Sequence, residues 1–276
     1  MRLGSSGPDV AALQRRLQQV GFNPGEADGN FGPATQAAVL AYQQSEGLLA
    51  DGEVGPRTAT ALGLDNPPQI VSAIPAVTVE IVSKMFPATQ VSNIRTNLPV
   101  VLNALVAPQL VEKTMVLMAL ATIRAETESF LPISEGQSVY NTSPGGHPFD
   151  LYDNRKDLGN QGPPDGERYR GRGFVQLTGR ANYTTYGPLI GLGDGLVNDP
   201  EQGNQPDIAA RLLAGFLKNQ EKAIKEALLH YDRPTALKMA RRLVNGGSNG
   251  LDRFAAAYQI GDALLPEVLS VAQEAG

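Results

Sequence analysis

The stretch from Pro108 to Ser129 constrains the fold most, because it predicts a helix with apolar side chains on every side. One stripe at helical spacing consists of Val111, Met115, Met118, Ala119 and Thr122. Leu117, Leu120 and Ile123 make the opposite side apolar as well. A helix that is apolar all round is buried, so this segment is expected to be the central helix of an α-helical domain.

Glu126 continues the stripe at i+4 and is the first candidate for catalysis. Burial disfavours the charged form of a carboxyl group, and a protonated carboxyl group is what a general acid requires. Glu128 lies off the stripe and is expected to face solvent. The alternative is structural: Glu126 is a buried glutamate paired with an arginine, such as Arg124 or one of the arginines in 168–172.

The composition narrows the chemistry. The 276 residues suffice for one large domain or two small ones, and they include no Cys and only two His, His147 and His230. This argues against thiol, Ser-His and zinc-dependent catalysis, which leaves carboxylates as catalytic groups, with no metal or cofactor expected. The net charge of −5 and the pI of about 5.2 do not favour nucleic-acid binding.

The sequence contains no apolar run of the roughly 18 residues that a membrane-spanning helix needs. Its first residues, Met1–Gly7, lack the apolar centre of a signal peptide. We therefore expect a protein that is made soluble in a cytoplasm. As a separate expectation, the protein is a monomer.

Residues 1–64 contain an internal repeat. The segment Asp28–Thr35 (DGNFGPAT) recurs 23 positions later as Asp51–Thr58 (DGEVGPRT). Each copy predicts a turn that leads into a helix, because Asp-Gly tolerates positive φ and Gly-Pro favours a helix start. The predicted helices are Pro8–Val20, Ala34–Gln44 and Thr58–Leu64, which together form a small three-helix bundle. Three prolines mark residues 65–76 as a linker, and 77–276 form the second domain.

The repeat region resembles the peptidoglycan-binding module, whose pattern joins G-x-x-G-x-x-V-x-x-L-Q-x-x-L to D-G-x-[FV]-G-P-x-T. Here Gly4–Leu17 supplies the first part of the pattern. The resemblance implies a wall-binding surface near the loop between the first two helices, with Asp28, Asn30 and Phe31 as contacts. A core role is the alternative for Phe31, and a helical bundle without a ligand is the alternative for the whole segment.

The second domain is predicted to be mostly helical, with a long irregular region. The further predicted helices are Val79–Phe86, Val91–Val106, Asp207–Asn219, Lys222–His230 and Thr235–Leu243. Segment Phe130–Tyr169 is rich in Gly, Pro, Asn and Asp, and long loops of this kind are commonly functional. It contains Glu135 in a polar turn, where the carboxylate is expected to be hydrated. One dry and one wet carboxyl group can divide acid and base roles, although an ordinary surface glutamate is the alternative.

The segment Arg170–Tyr183 (RGRGFVQLTGRANY) combines a glycine-rich bend with a short mixed run. Gln176 and Thr178 share one face of an extended segment, while Val175 and Leu177 face the other way. This favours an amide and a hydroxyl group displayed to a cleft. The alternative is a buried turn in which both side chains only satisfy backbone groups.

This segment is similar to the YRGRG-(hydrophobic)2-QLTGRxNY signature of the family 19 glycoside hydrolases, the plant-type chitinases and related phage endolysins. The segments around Glu126 and Glu135 resemble the two catalytic glutamate motifs of that family. The resemblance implies a lysozyme-like α-helical catalytic domain and an inverting reaction. Glu126 would be the acid, Glu135 the base, and Thr178 would help to hold the attacking water.

The same resemblance implies a set of substrate contacts. The residues expected to bind sugar are Gln176, Asn182, Tyr140 and Asn245. Segment Val244–Arg253 is similar to the family's INGG segment, and Arg253 is expected to support the acid. The alternative for this segment is a plain helix stop followed by a helix start.

These expectations combine into a modular endolysin that binds peptidoglycan and hydrolyses its β-1,4-glycosidic bonds. It would remain in the host cytoplasm until release and then act at the cell wall or in the periplasm. Two other functions remain open: a chitinase that acts on GlcNAc polymers, and a non-catalytic wall-binding protein.

Overall fold

The computed structural model describes residues 1–64, 72–245, 247 and 249–266. The chain divides into two compact units, Met1–Gln69 and Ile70–Gly276, and the described residues are mostly helical. The mainly α fold predicted from the sequence is therefore confirmed. Within the described ranges, no helix combines the length and the apolar character that crossing a membrane requires.

The predicted linker, 65–76, is too long at its C-terminal end. Its first part, 65–71, lies outside the described residues. Its last residues, Ile74–Ala76, form a 3-10 turn, and the backbone N–H of the buried Ala73 donates to the carbonyl oxygen of Val111 at 2.8 Å. This end of the segment packs into the second unit because its apolar side chains find a core there.

The first unit is a three-helix bundle, as predicted. Its helices are α1 (Pro8–Gln19), α2 (Pro33–Ser45) and α3 (Pro56–Ala61). The buried residues at its centre include Val10, Leu13, Leu17, Phe31, Val39 and Leu62. Helices α1 and α2 start with proline in the first turn, where its fixed φ suits a helix. Proline lacks a backbone N–H, but no hydrogen bond is lost because an N–H at this position has no partner within the helix.

A buried glutamine of α1 holds the first Asp-Gly turn. The side-chain amide of Gln14 donates to Asp28 Oδ1 at 2.9 Å and to Thr35 Oγ1 at 3.1 Å. Its Oε1 accepts from the backbone N–H of Gly29 at 2.9 Å. Hydrogen bonds from the backbone of Asn30 and from Gln14 hold the pKa of Asp28 below its ordinary value. The turn is thus fixed by a buried residue outside the repeated motif.

Helix α2 repeats this arrangement with Gln43. Its side-chain amide donates to Asp51 Oδ1 at 2.9 Å and to Thr58 Oγ1 at 3.1 Å. Its Oε1 accepts from the backbone N–H of Gly52 at 2.9 Å. Each copy of the sequence repeat therefore forms one Asp-Gly turn that is tied to the helix before it.

The second unit is built around a core of helices with one two-stranded sheet. Its longer helices are α4 (Val79–Met85), α5 (Val91–Ala104), α6 (Lys113–Glu126), α9 (Arg180–Leu189), α11 (Pro206–His230), α12 (Arg233–Asn245) and α13 (Leu251–Leu264). Its short elements are β1 (Ile133–Ser134), α7 (Asp150–Asp153), α8 (Asp165–Arg168), β2 (Arg172–Gly173), α10 (Gly195–Asn198) and the 3-10 turns Lys156–Leu158 and Pro200–Asn204. The strands pair antiparallel, with Ile133 opposite Gly173 and Ser134 opposite Arg172.

Helix α6 is the central helix, as the sequence predicts. Every residue from Met115 to Ile123 is fully buried, and α4, α11 and α13 pack against it. The helix is shorter than predicted at both ends, because Gln109 and Glu128 have φ values of 59° and 46°. Glu126 is consequently the last residue of the helix.

Helix α11 is one continuous helix, whereas the sequence suggested two. The residues between the two predicted segments, Gln220 and Glu221, contain no helix breaker, and the buried Leu217 and Ile224 lie on one face two turns apart. The long irregular region around Glu135 contains only the short elements given above.

We predict that Gln43→Leu lowers the free energy of unfolding of the first unit by about 2 kcal/mol, because it leaves the buried partners of the amide without hydrogen bonds. Hydrogen exchange of the α2 amides in the full chain measures this quantity. Gln44→Leu, at the exposed neighbouring position, is the matched control and should leave exchange nearly unchanged. Equal protection in the two variants would contradict the proposed role of Gln43.

Candidate active site

The signature segment forms a tight hairpin rather than a continuous extended run. Arg172 and Leu177 exchange two backbone hydrogen bonds, at 3.2 and 3.0 Å, and Gln176 turns the chain with a φ of 51°. Val175 and Leu177 are buried, while Gln176 and Thr178 are only half-buried. The predicted alternation of buried and partly exposed side chains is therefore present, although it arises from a turn and not from an extended strand.

The arginines of the signature hold this hairpin in place. Arg172 is 1% exposed, donates to the hydroxyl group of Tyr183 at 3.0 Å and pairs with Glu201. Arg180 binds the buried Asp165 through two hydrogen bonds, at 2.6 and 2.7 Å. Burial raises the pKa of Asp165, but these bonds outweigh burial and hold it below its ordinary value. Both arginines therefore act as supports for the backbone that carries the site.

A cleft of about 780 Å³ brings together residues from distant parts of the second unit. The predicted site residues that line it are Glu126, Glu135, Gln176, Thr178 and Asn182. Both candidate carboxyl groups thus face one cavity large enough for sugar rings.

Glu126 is bound by an arginine that the sequence interpretation did not single out. Its Oε1 accepts a hydrogen bond from Arg241 at 2.7 Å, and its side chain is 13% exposed. Arg241 is itself buried and also donates to the carbonyl oxygen of Asn249 at 2.8 and 3.0 Å. The arginine partner considered from the sequence was Arg124 or one in 168–172, and the structure instead provides one from α12.

Arg253, which the resemblance offered as support for the acid, contacts a different carboxylate. It pairs with Glu128, and it approaches the carbonyl oxygen of Ala125 at 3.4 Å. Both Arg253 and Glu128 are about half exposed, as expected for Glu128 from its position off the stripe. In this structure the contact with Glu126 therefore belongs to Arg241.

The polar turn around Glu135 predicts a carboxylate in open water. In the structure three protein groups donate hydrogen bonds to it instead. Its Oε1 accepts from Asn141 at 3.0 Å and from the hydroxyl group of Tyr152 at 2.9 Å, and its Oε2 accepts from the backbone N–H of Gly171 at 3.2 Å. Burial and the nearby charge of Glu135 raise the pKa of Tyr152 to about 12, so Tyr152 stays protonated and donates. These three hydrogen bonds fix the orientation of the Glu135 side chain.

Gly171 allows three side-chain oxygen atoms to lie close to the backbone. A Cβ atom at this position would lie 2.9 Å from Gln176 Oε1 and 3.2 Å from both Glu135 Oε2 and Thr178 Oγ1. A side chain at this position would therefore require these side-chain ends to shift.

The donor groups around the hairpin are used to fix its shape. The side-chain amide of Gln176 donates to the carbonyl oxygen of Ile133 at 2.8 Å. The hydroxyl group of Thr178 donates to the backbone carbonyl oxygen of Gln176 at 2.9 Å. Asn182 donates to the carbonyl oxygen of Thr178 at 2.7 Å. The side chains of Gln176, Thr178 and Asn182 therefore donate hydrogen bonds to backbone carbonyl oxygens, and the same side chains also line the cleft.

One of the predicted sugar contacts, Tyr140, is not found in the cleft. Tyr140 is 85% exposed and does not line it, whereas the next residue, Asn141, binds Glu135. The irregular loop has no periodic sequence pattern, so the sequence could not show that Asn141 rather than Tyr140 lies next to Glu135. The side chain of Asn245 lies outside the described residues. Tyr152 was missed for the same reason as Asn141, since it lies 17 positions from Glu135 in that loop.

The proposed wall contacts of the first unit divide into two groups. Asp28 and Asn30 are exposed and hydrogen bonded to each other. Phe31 is 2% exposed and belongs to the core, which corrects its assignment as a contact. Only the two polar residues are available at the surface.

Comparisons with known proteins support a modular chain. Residues 6–62 match the family model of the peptidoglycan binding domain. A stretch of 56 residues is 52% identical to the N-acetylmuramoyl-L-alanine amidase CwlM of Mycobacterium tuberculosis, and it covers 20% of this chain and 14% of that protein. The first unit therefore contains a peptidoglycan-binding domain.

A second similarity concerns a longer part of the chain. Over 109 residues the chain is 28% identical to a glycosyl hydrolase family 19 domain-containing protein of Haemophilus influenzae. The matched stretch covers 40% of this chain and 48% of that protein. The chain spans less than half the length of either relative. Among solved structures, chitinase C from Streptomyces griseus is similar with a TM-score of 0.46 and 21% identity, over 67% of this chain and 76% of that chain.

We predict that Arg241→Met lowers the free energy of unfolding by about 3 kcal/mol, because it leaves Glu126 without its buried cation. Arg253→Met removes an exposed pair and should cost less than about 1 kcal/mol. Urea denaturation of the full chain measures both values. In a Glu126→Gln background the cost of Arg241→Met should shrink, and equal costs in both backgrounds would show that the two residues are not coupled.

Proposed function

We propose that this protein hydrolyses the β-1,4-glycosidic bonds of peptidoglycan strands by an inverting mechanism with two carboxyl groups. The observation that carries the proposal is the shared cleft, in which Glu126 and Glu135 face one cavity beside Gln176, Thr178 and Asn182. The peptidoglycan-binding domain supports the choice of substrate. The similarity to a family 19 domain-containing protein supports the reaction type.

In the proposed reaction Glu126 acts as the general acid. Arg241 binds Oε1 and fixes the orientation of the carboxyl group. The proton passes to the glycosidic oxygen as the bond to the anomeric carbon breaks. The same contact with Arg241 is retained by the carboxylate that remains.

Glu135 acts as the general base. Its carboxylate, which is oriented by three hydrogen bonds, takes a proton from water while that water attacks the anomeric carbon from the opposite face. Thr178 Oγ1 and Glu135 Oε2 both lie close to Gly171, and Thr178 helps to hold the water. An inverting enzyme needs its carboxyl groups roughly 6.5–9.5 Å apart, which leaves room for this water.

The first unit raises the local concentration of the catalytic unit on the wall. We assign the exposed Asp28 and Asn30 to its contact surface. We place the action of the protein at the cell wall, in the manner of an endolysin.

We predict that Glu126→Gln lowers wall hydrolysis by at least about 10²-fold, the usual contribution of a general acid, while wall binding is retained. Release of reducing ends from purified peptidoglycan measures hydrolysis, and sedimentation with the same wall measures binding. Normal hydrolysis by the folded variant would remove Glu126 from the acid role. Binding without new reducing ends in the unmodified protein would instead favour a non-catalytic wall-binding function.

We predict that Gly171→Ala lowers the hydrolysis rate at least about tenfold, because its Cβ displaces the oxygen atoms that position the water. Gly136→Ala is the matched control: this glycine lies beside Glu135 in sequence, and a Cβ there meets nothing within 4 Å. The rates are compared at saturating wall concentration, with circular dichroism as the check on folding. Similar rates in both variants would argue against convergence at Gly171.

A further inference from the structure

A second cavity, of about 760 Å³, lies between α11 and α12. We call it the α11–α12 groove. Its apolar lining is Ala223 and Ala227 from α11 with Met239 and Leu243 from α12, and its polar lining includes Glu226 and Arg242. The apolar residues are half-buried, apart from the buried Ala227, while both polar residues are exposed. The groove therefore offers a methyl-rich floor with charged groups at its edge.

The groove adjoins the cleft that holds the two carboxyl groups. Arg242 and Leu243 line both cavities, so these two side chains of α12 form a boundary shared by the groove and the cleft, which we call the junction. Arg242 has no carboxylate partner within the described part of the chain, in contrast to the preceding Arg241, which binds Glu126. A guanidinium group at the junction is thus available to a bound carboxylate.

A branched ligand fits this arrangement better than a linear one. A chitin chain carries only small acetamido groups, whereas a peptidoglycan strand carries a peptide on the lactyl group of alternate sugars. That peptide has alanine methyl groups and free carboxylates, and it must leave the cleft on one side of the strand. A floor of aliphatic and thioether groups suits the methyl groups, and arginine is a preferred partner for a carboxylate.

We infer that the α11–α12 groove binds the peptide stem of peptidoglycan, with Arg242 paired to a stem carboxylate. This inference rests on the proposed function and extends it to the feature that separates peptidoglycan from chitin. The groove is then a specificity site for stem-bearing strands.

A kinetic experiment compares two forms of one substrate: peptidoglycan with its stems, and the same glycan after the stems have been removed with an amidase. Ala223→Leu narrows the groove without touching the cleft lining. It should lower kcat/KM on the stem-bearing strand about tenfold and leave kcat/KM on the stripped glycan unchanged, as expected for the loss of one well-packed subsite. An equal change on both substrates, or no change on either, would overturn the inference.

A binding experiment keeps the inference testable without catalysis. Titration of the full chain with muramyl dipeptide should show about tenfold weaker binding for Arg242→Gln, the loss of one charge-assisted hydrogen bond. Lys238→Gln, an exposed charge on the same helix outside the groove, is the matched control and should bind normally. A GlcNAc trimer, which has no peptide, should bind the Ala223→Leu variant as tightly as the unmodified chain, because Ala223 lines the groove and not the cleft.

The two experiments separate the groove from the reaction. If the unmodified chain cuts neither glycan, the proposed function fails, and the titration alone decides the groove. Loss of muramyl dipeptide binding in Arg242→Gln supports the groove in that case. Equal binding of muramyl dipeptide by Arg242→Gln and Lys238→Gln overturns it.

Discussion

The contact between Glu126 and Arg241 is the interaction on which the site depends. Helix α6 is buried on all sides, so the carboxyl group at its end must be neutral or paired with a cation. The cation comes from α12, more than a hundred residues later in the chain, and it is buried as well. Because Arg241 also binds the carbonyl oxygen of Asn249, one guanidinium group joins the end of α6, the body of α12 and the turn before α13. The floor of the cleft exists only when these three elements are packed together.

The second carboxyl group is positioned by a different means. Glu135 follows a strand of two residues. Its place is set by the backbone of Gly171, which precedes the hairpin, and by the side chains of Asn141 and Tyr152 from the irregular region. The hairpin is in turn held by Arg172, which is buried among polar partners. One carboxyl group thus depends on helix packing and the other on a hydrogen-bonded loop. The two carboxyl groups are therefore positioned by independent parts of the fold.

Local patterns predicted local structure well. The apolar stripes of α6 and the Asp-Gly and Gly-Pro turns of the first unit identify a buried helix and a three-helix bundle, because each depends on neighbours a few residues away. The contacts of Arg241, Tyr152 and Asn141 could not be predicted in this way, because they join segments far apart in sequence or lie in a loop without periodicity. The same limit applies to Gln14 and Gln43, since a glutamine on a helix is usually exposed and only the packed turn shows that these two are buried.

In the function that we propose, helix α12 would link the orientation of the acid to substrate choice. Arg241 and Arg242 are consecutive, so their side chains leave the helix about 100° apart, one toward Glu126 and one toward the junction of cleft and groove. A rotation of α12 that brought Arg242 closer to a bound carboxylate would withdraw Arg241 from Glu126. The helix can therefore serve both contacts at only one orientation, and the buried bond of Arg241 sets that orientation before substrate arrives. A strand bound with its stem in the groove would then meet an acid that is already aligned, whereas an unbranched strand would lack this additional restraint.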